Sequence, residues 1–165
     1  MIIKKQNAIL DIDLDATKKY FATYNLCDCA DDRNFYAQSR EKFPKLTEFL
    51  EELGLLIDRP DEIGSVTYNN EVDYLFISYT VVGKILEFDK YEIDMFDGDL
   101  FLNIVIDNWY VPNEQTTDEY FTVTVYNVTL PWVLDEPFPD DETPTKSFIQ
   151  KLKDFFKKSR CVYDQ

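Results

Sequence analysis

The strongest constraint on this chain is a run of β-forming sequence in its middle. Tyr74-Leu75-Phe76-Ile77-Ser78-Tyr79-Thr80-Val81-Val82 is almost wholly β-branched, aromatic or otherwise suited to a pleated surface. Further strand-like segments follow. Leu86 and Phe88 alternate with other residues, and then the phase changes to Tyr91, Ile93 and Met95. One strand cannot present both phases on one face, so a bulge or turn is expected near Asp89-Lys90. Asp97-Gly98 is a hairpin signal. Leu100, Leu102, Ile104 and Ile106 then form one apolar face, Asn113 to Glu119 a polar loop, and Phe121, Val123 and Val125 a last strand closed by Pro131. Residues 63–134 therefore predict an antiparallel β-meander of four or five strands, with Gly83 breaking the first long run.

The flanks have a different period. Ile9 to Leu14 reads as a short strand, and Lys18 to Tyr24 as a turn or short helix. Asp31 or Asp32 is placed to cap a helix over 31–43, because its carboxylate can accept free first-turn amides. Pro44 suits the first turn of a second helix, 44–53. Gly54 is a natural residue to follow its end, with Leu55 covering it. Residues 135–143 form an acidic, proline-interrupted connector. Phe148, Ile149, Leu152, Phe155 and Phe156 predict an amphipathic closing helix over 144–158. The expected fold is a single α+β domain over 1–165. It has an N-terminal strand and two helices within 1–54, the antiparallel sheet, and the C-terminal helix packed on that sheet.

Composition narrows the chemistry. The chain has no histidine, which removes imidazole general bases, Ser-His-Asp triads and His-containing zinc sites. Only four glycines occur, and no phosphate-cradling glycine motif can be written. Thirty-two acidic residues against 17 basic ones leave a formal charge of −15. Direct binding to nucleic acid or to an anionic membrane is not expected of such a chain. Aromatic residues make up 16% of the chain, which argues for a packed fold rather than an acidic disordered one. Three cysteines, an odd number, give no disulfide framework. The N-terminal residues lack the apolar core of a signal peptide, and no stretch is apolar enough to span a bilayer, so a reduced cytoplasm is the expected location.

Charge is segregated. From Tyr91 to Thr145 there is no Lys or Arg, whereas Lys146, Lys151, Lys153, Lys157, Lys158 and Arg160 follow. Two readings compete: acidity for solubility, compensated by the basic helix, and an electrostatic face for a basic protein. Glu114, Asp118, Glu119, Asp135, Glu136, Asp140, Asp141 and Glu142 are the candidate partner-binding residues. Trp109, Tyr110, Tyr120 and Trp132 are candidate anchors beside them. Asp94 to Asp99 does not fit the ligand spacing of an EF-hand and reads as a hairpin tip with solvated carboxylates.

Cys27-Asp28-Cys29 leads into Asp31-Asp32-Arg33-Asn34-Phe35-Tyr36. Two thiols at this spacing can share a metal ion, and Asp28, Asp31 or Asp32 can add oxygen. A structural zinc site needs four ligands, and Cys161 is the one thiol left, so neither a metal nor a cofactor is assigned. The expected role of Cys27, Cys29, Arg33 and Asn34 is structural: a tight turn feeding a capped helix, with Arg33 paired to a nearby carboxylate. The segment resembles the C-x-C-x-x-C-R-N-[FY] stretch of an uncharacterised family of small bacterial proteins, with Asp32 where the third cysteine would stand. Gly54 to Glu62 and Leu130-Pro131-Trp132-Val133-Leu134 extend the resemblance. It implies no activity, ligand or catalytic residue.

The expected function is that of a non-enzymatic cytoplasmic protein-binding module with an acidic face, like an immunity protein or an inhibitor. The alternative is a metal- or redox-dependent protein centred on Cys27-x-Cys29. A carboxylate-based hydrolase is a third class, for which no catalytic residue can be named.

Overall fold

The computed structural model describes residues 1–6, 8–88, 92–108, 112 and 119–139. In chain order the elements are β1 (Ile2–Lys5), β2 (Ala8–Ile12), α1 (Leu14–Phe21), α2 (Ala30–Lys42), α3 (Pro44–Glu52), β3 (Glu62–Tyr68), β4 (Glu71–Phe88), β5 (Glu92–Asp97), β6 (Leu100–Asp107), β7 (Tyr120–Tyr126) and β8 (Val128–Pro131).

This corrects the expected architecture. Strand accounts for 46% of the described residues and helix for 24%, so the described part is chiefly one antiparallel sheet with three short helices. The N-terminal strand is a hairpin, with Ile2 to Lys5 paired to Asp11 to Ala8. The sheet is not a meander. Its eight strands run β1-β2-β4-β7-β6-β5, with β3 and β8 also on β4. The predicted C-terminal helix, 144–158, lies outside the described residues.

The organising element is β4, 18 residues long. One of its edges pairs with β3 over residues 71–78 and with β2 over 83–88. The other pairs with β8 over 71–74 and with β7 over 77–82. Gly83 does not end the strand, as its composition suggested. It sits where β2 joins, with φ +152°, and a Cβ there would lie 2.2 Å from the Asp11 carbonyl oxygen. Glycine is what allows the two backbones this close. Between β3 and β2, residues 79–82 have no strand neighbour on that edge among the described residues, and α1 with its flanks lies there. Asp13 N–H donates to the Val82 carbonyl at 2.9 Å, and Val82 N–H donates to Thr17 Oγ1 at 3.0 Å.

Register puts Ile77, Tyr79, Val81, Phe121, Val123, Val125, Ile104, Ile106 and Ile93 on one face, all buried. Phe35, Phe43, Leu46, Phe49, Leu50 and Leu53 from the helices join the same core. Pro44 opens α3, and Gly54 closes it with φ +81°. Leu55 N–H reaches the Leu50 carbonyl and Gly54 N–H that of Glu51, a complete Schellman end. Asp97, at the tip of the β5–β6 hairpin, accepts from Leu46 N–H at 2.9 Å, so a carboxylate from the sheet meets the positive end of α3. Hairpin turns fall where backbone chemistry allows them. Asn69 and Asn70 both take positive φ between β3 and β4, and Gly98 does so between β5 and β6.

Asp61 lies beside the edge gap in β4 and is only 6% exposed. Its N–H donates to the Ser78 carbonyl, and its carboxyl group receives the Tyr20 hydroxyl. Burial pushes its carboxyl up to about 6, and the hydrogen bond from the Tyr20 hydroxyl opposes the shift.

Candidate functional sites

The described members of the predicted acidic face do not come together. Glu119 precedes β7, where its carbonyl accepts from Gly83 N–H and its carboxylate pairs with Lys84. Asp135 and Glu136 follow β8. Val82 of β4 pairs with Tyr120 and Glu71 with Pro131, so these ends are eleven residues apart on one strand. At roughly 3.3 Å per residue that is about 36 Å of strand. Glu136 is already engaged, its Oε1 lying 2.6 Å from Arg33 Nη2. Glu114, Asp118, Asp140, Asp141 and Glu142 lie outside the described residues, as do Trp109 and Tyr110. Trp132 packs edge-on against Phe138, with ring centroids 5.5 Å apart, and donates its indole N–H to the Glu136 carbonyl. Tyr120 is half-buried.

A different surface combines exposed aromatic area with acid groups. β5 is an end strand of the sheet, and its outward residues Glu92, Asp94 and Phe96 lie opposite Val105, Asn103 and Phe101 of β6. The Phe96 and Phe101 rings are 5.1 Å apart, yet 63% and 42% exposed, with Leu100 beside them at 39%. Glu92, Asp94 and Asp99 are exposed around them. Asn103 Nδ2 fixes Asp94 at 3.1 Å, and Lys45 of α3 donates to the Phe96 carbonyl at 2.8 Å. Leu102 and Ile104 turn inward, which leaves Phe101 and Asn103 to turn out. The alternation was visible in the sequence, but the exposure of the pair was not.

At the start of α2 the helix begins one residue before the aspartates expected to cap it. Cys29 is the N-cap and makes no side-chain cap hydrogen bond. Asp32 is therefore the third residue of the helix, and N-cap and N3 side chains face one another across a first turn. The two Cys sulfurs and an Asp32 carboxylate oxygen all lie within 4.8 Å of one another. Cys29 N–H lies 3.4 Å from Cys27 Sγ. Asp32 is 5% exposed, and the Tyr36 hydroxyl donates to its Oδ2 at 3.5 Å. Burial holds the Tyr36 phenol far above its ordinary range, with the Asp32 charge adding to this, so it stays a neutral donor.

Cys29 is exposed by area, but protein packed around its sulfur raises its thiol well above the usual range, and the Cys27 contact and the Asp32 charge reinforce this.

The neighbouring residues lock this segment to the sheet. The Arg33 guanidinium donates to the Asp28 carbonyl, lies 3.5 Å from the Asp28 carboxylate, and pairs with Glu136. Buried Asn34 donates to the Tyr74 hydroxyl (3.1 Å) and the Pro131 carbonyl (3.2 Å), and accepts from Val133 N–H at 2.8 Å. The segments 27–36 and 130–134, which carry the family resemblance, are thus in contact.

Among the described residues no helix is long and apolar enough to cross a membrane. Compared with family models, curated proteins and solved structures, the chain matches none, so the resemblance read from its Cys-x-Cys segment shows no family membership.

Proposed function

We propose that this protein is a non-enzymatic binding module, immunity-protein-like or inhibitor-like, whose working surface is the outward face of the β5–β6 hairpin. The observation that carries this reading is the exposed Phe96–Phe101 pair on an end strand, with exposed Glu92, Asp94 and Asp99 on the same hairpin. Exposed apolar patches on a folded protein often mark interaction sites, and aromatic anchors inside a polar rim are the energetic centre of protein interfaces. The rim is acidic, and the sequence from Tyr91 to Thr145 holds no Lys or Arg. The partner is accordingly a basic protein that presents apolar side chains within a cationic surround. We place the encounter in the cytoplasm, where free thiols such as Cys27 and Cys29 persist.

The test compares immobilised wild-type protein with the double variant Phe96→Ala/Phe101→Ala in extracts of the native host. A protein retained by the wild type at low salt, released by added salt and lost from the double variant supports the reading. Loss of one central anchor costs about 2 kcal/mol or more, roughly thirtyfold in affinity. Equal retention by both proteins, or no retention at low salt, refutes it.

A further inference from the structure

The start of α2 carries an inference independent of the hairpin surface. We infer that Cys27, Cys29 and Asp32 form a binding site for one thiophilic divalent cation of the zinc group, Zn2+ or Cd2+, with the remaining coordination position left to water.

Three donors from a short segment converge here: two sulfurs and one carboxylate oxygen, all within 4.8 Å of one another. Around a tetrahedral zinc ion, with Zn–S near 2.3 Å and Zn–O near 2.0 Å, donor atoms lie about 3.5–3.8 Å apart. Closing the site therefore takes a contraction of about 1 Å, and Cys27 and Cys29 are exposed residues in the loop before the helix. Asp32 is held in place by the helix and by its burial. The soft sulfurs select against calcium and magnesium, which take oxygen ligands.

Groups behind the ligands are already arranged for the task. The Tyr36 hydroxyl points to Asp32 Oδ2, which orients the carboxylate, and Cys29 N–H points to the Cys27 sulfur. Arg33 anchors the intervening Asp28 from both its carbonyl and its carboxylate, and ties that loop to Glu136. The guanidinium is thereby directed at Asp28 and Glu136. Binding converts two thiols to thiolates and releases their two protons to solvent, so it weakens as pH falls.

The experiment uses the full chain, reduced and stripped of metal with a chelator. Cd2+ is titrated while the ultraviolet thiolate-to-metal charge-transfer band is recorded, and Zn2+ stoichiometry is measured by equilibrium dialysis. The expected result is one equivalent of either ion per chain, with a band that Cys161→Ser leaves intact. Cys27→Ser, at an exposed position, weakens Cd2+ binding by more than about tenfold, and Asp32→Cys, which supplies a third sulfur, strengthens it by a similar factor. Binding without the charge-transfer band, a band that persists in Cys27→Ser/Cys29→Ser, or a band that requires Cys161 overturns the assignment. Each of these outcomes would mean that scattered carboxylates or the remaining thiol hold the ion.

Discussion

Replacing Asp61 by Asn should remove a pH dependence that works against the usual acid sensitivity of proteins. Asp61 is 6% exposed, and burial lifts its carboxyl from 3.8 to about 6. The folded state thus holds this proton more tightly than the unfolded chain does. By linkage its contribution is fully present below the unfolded value and is lost as pH rises through about 6. A shift of this size corresponds to about 3 kcal/mol in total, of which about 2 kcal/mol is gained between about pH 7.5 and about pH 4.5. The remaining ionisable groups of a chain at −15 add a pH dependence of their own. That background is common to wild type and variant and cancels in their difference. Urea unfolding at a series of pH values measures it. Wild-type stability relative to Asp61→Asn should rise by about 2 kcal/mol over that range. Asn keeps an acceptor for the Tyr20 hydroxyl but removes the buried charge and adds an N–H2, so the offset at neutral pH mixes several effects, and only the slope reports the titration. Identical slopes for the two proteins would refute the assignment of a perturbed carboxyl to this site.

Gly83→Ala should destabilise the protein by at least about 3 kcal/mol in the same assay, because a Cβ would meet the Asp11 carbonyl oxygen at 2.2 Å; a loss under about 1 kcal/mol would show that β2 and β4 can separate locally. Asn34→Ala removes partners from the Tyr74 hydroxyl, the Pro131 carbonyl and Val133 N–H. It should cost about 2–3 kcal/mol and speed hydrogen exchange at Val133, and an unchanged Val133 rate would show that the clamp is not what holds this loop.

How much of this was legible in the residues differs element by element. The boundary between α2 and α3 follows from Pro44, and the end of α3 from Gly54, because both act through their own backbone geometry. The turn between Asp97 and Leu100 follows from Gly98 for the same reason. What depends on distant pairing was hidden. Gly83 looks like a strand end until a second strand is seen to approach it. Asp61 looks like a loop carboxylate until the gap in β4 is known. The acidic candidates were close in composition yet are held apart by the length of one strand, which no local pattern records. The Cys27-x-Cys29 spacing was visible, and so was Cys29-x-x-Asp32, but their convergence required knowing that the helix starts at Ala30.

The double-sided pairing of β4 also sets a timetable. Strand β2 is complete at Ile12, but the residues it pairs with, 83–88, come about seventy positions later. At typical synthesis rates of roughly 5–20 residues per second, the β1–β2 segment waits several seconds for the strand it pairs with. Of β4's strand partners among the described residues, β3 adjoins it in the chain, while β2, β7 and β8 are distant, which makes for slow folding. The interval between the birth of β2 and the arrival of its neighbour is when this protein is most exposed to mispairing, and a chaperone that shields an unpaired strand would act there.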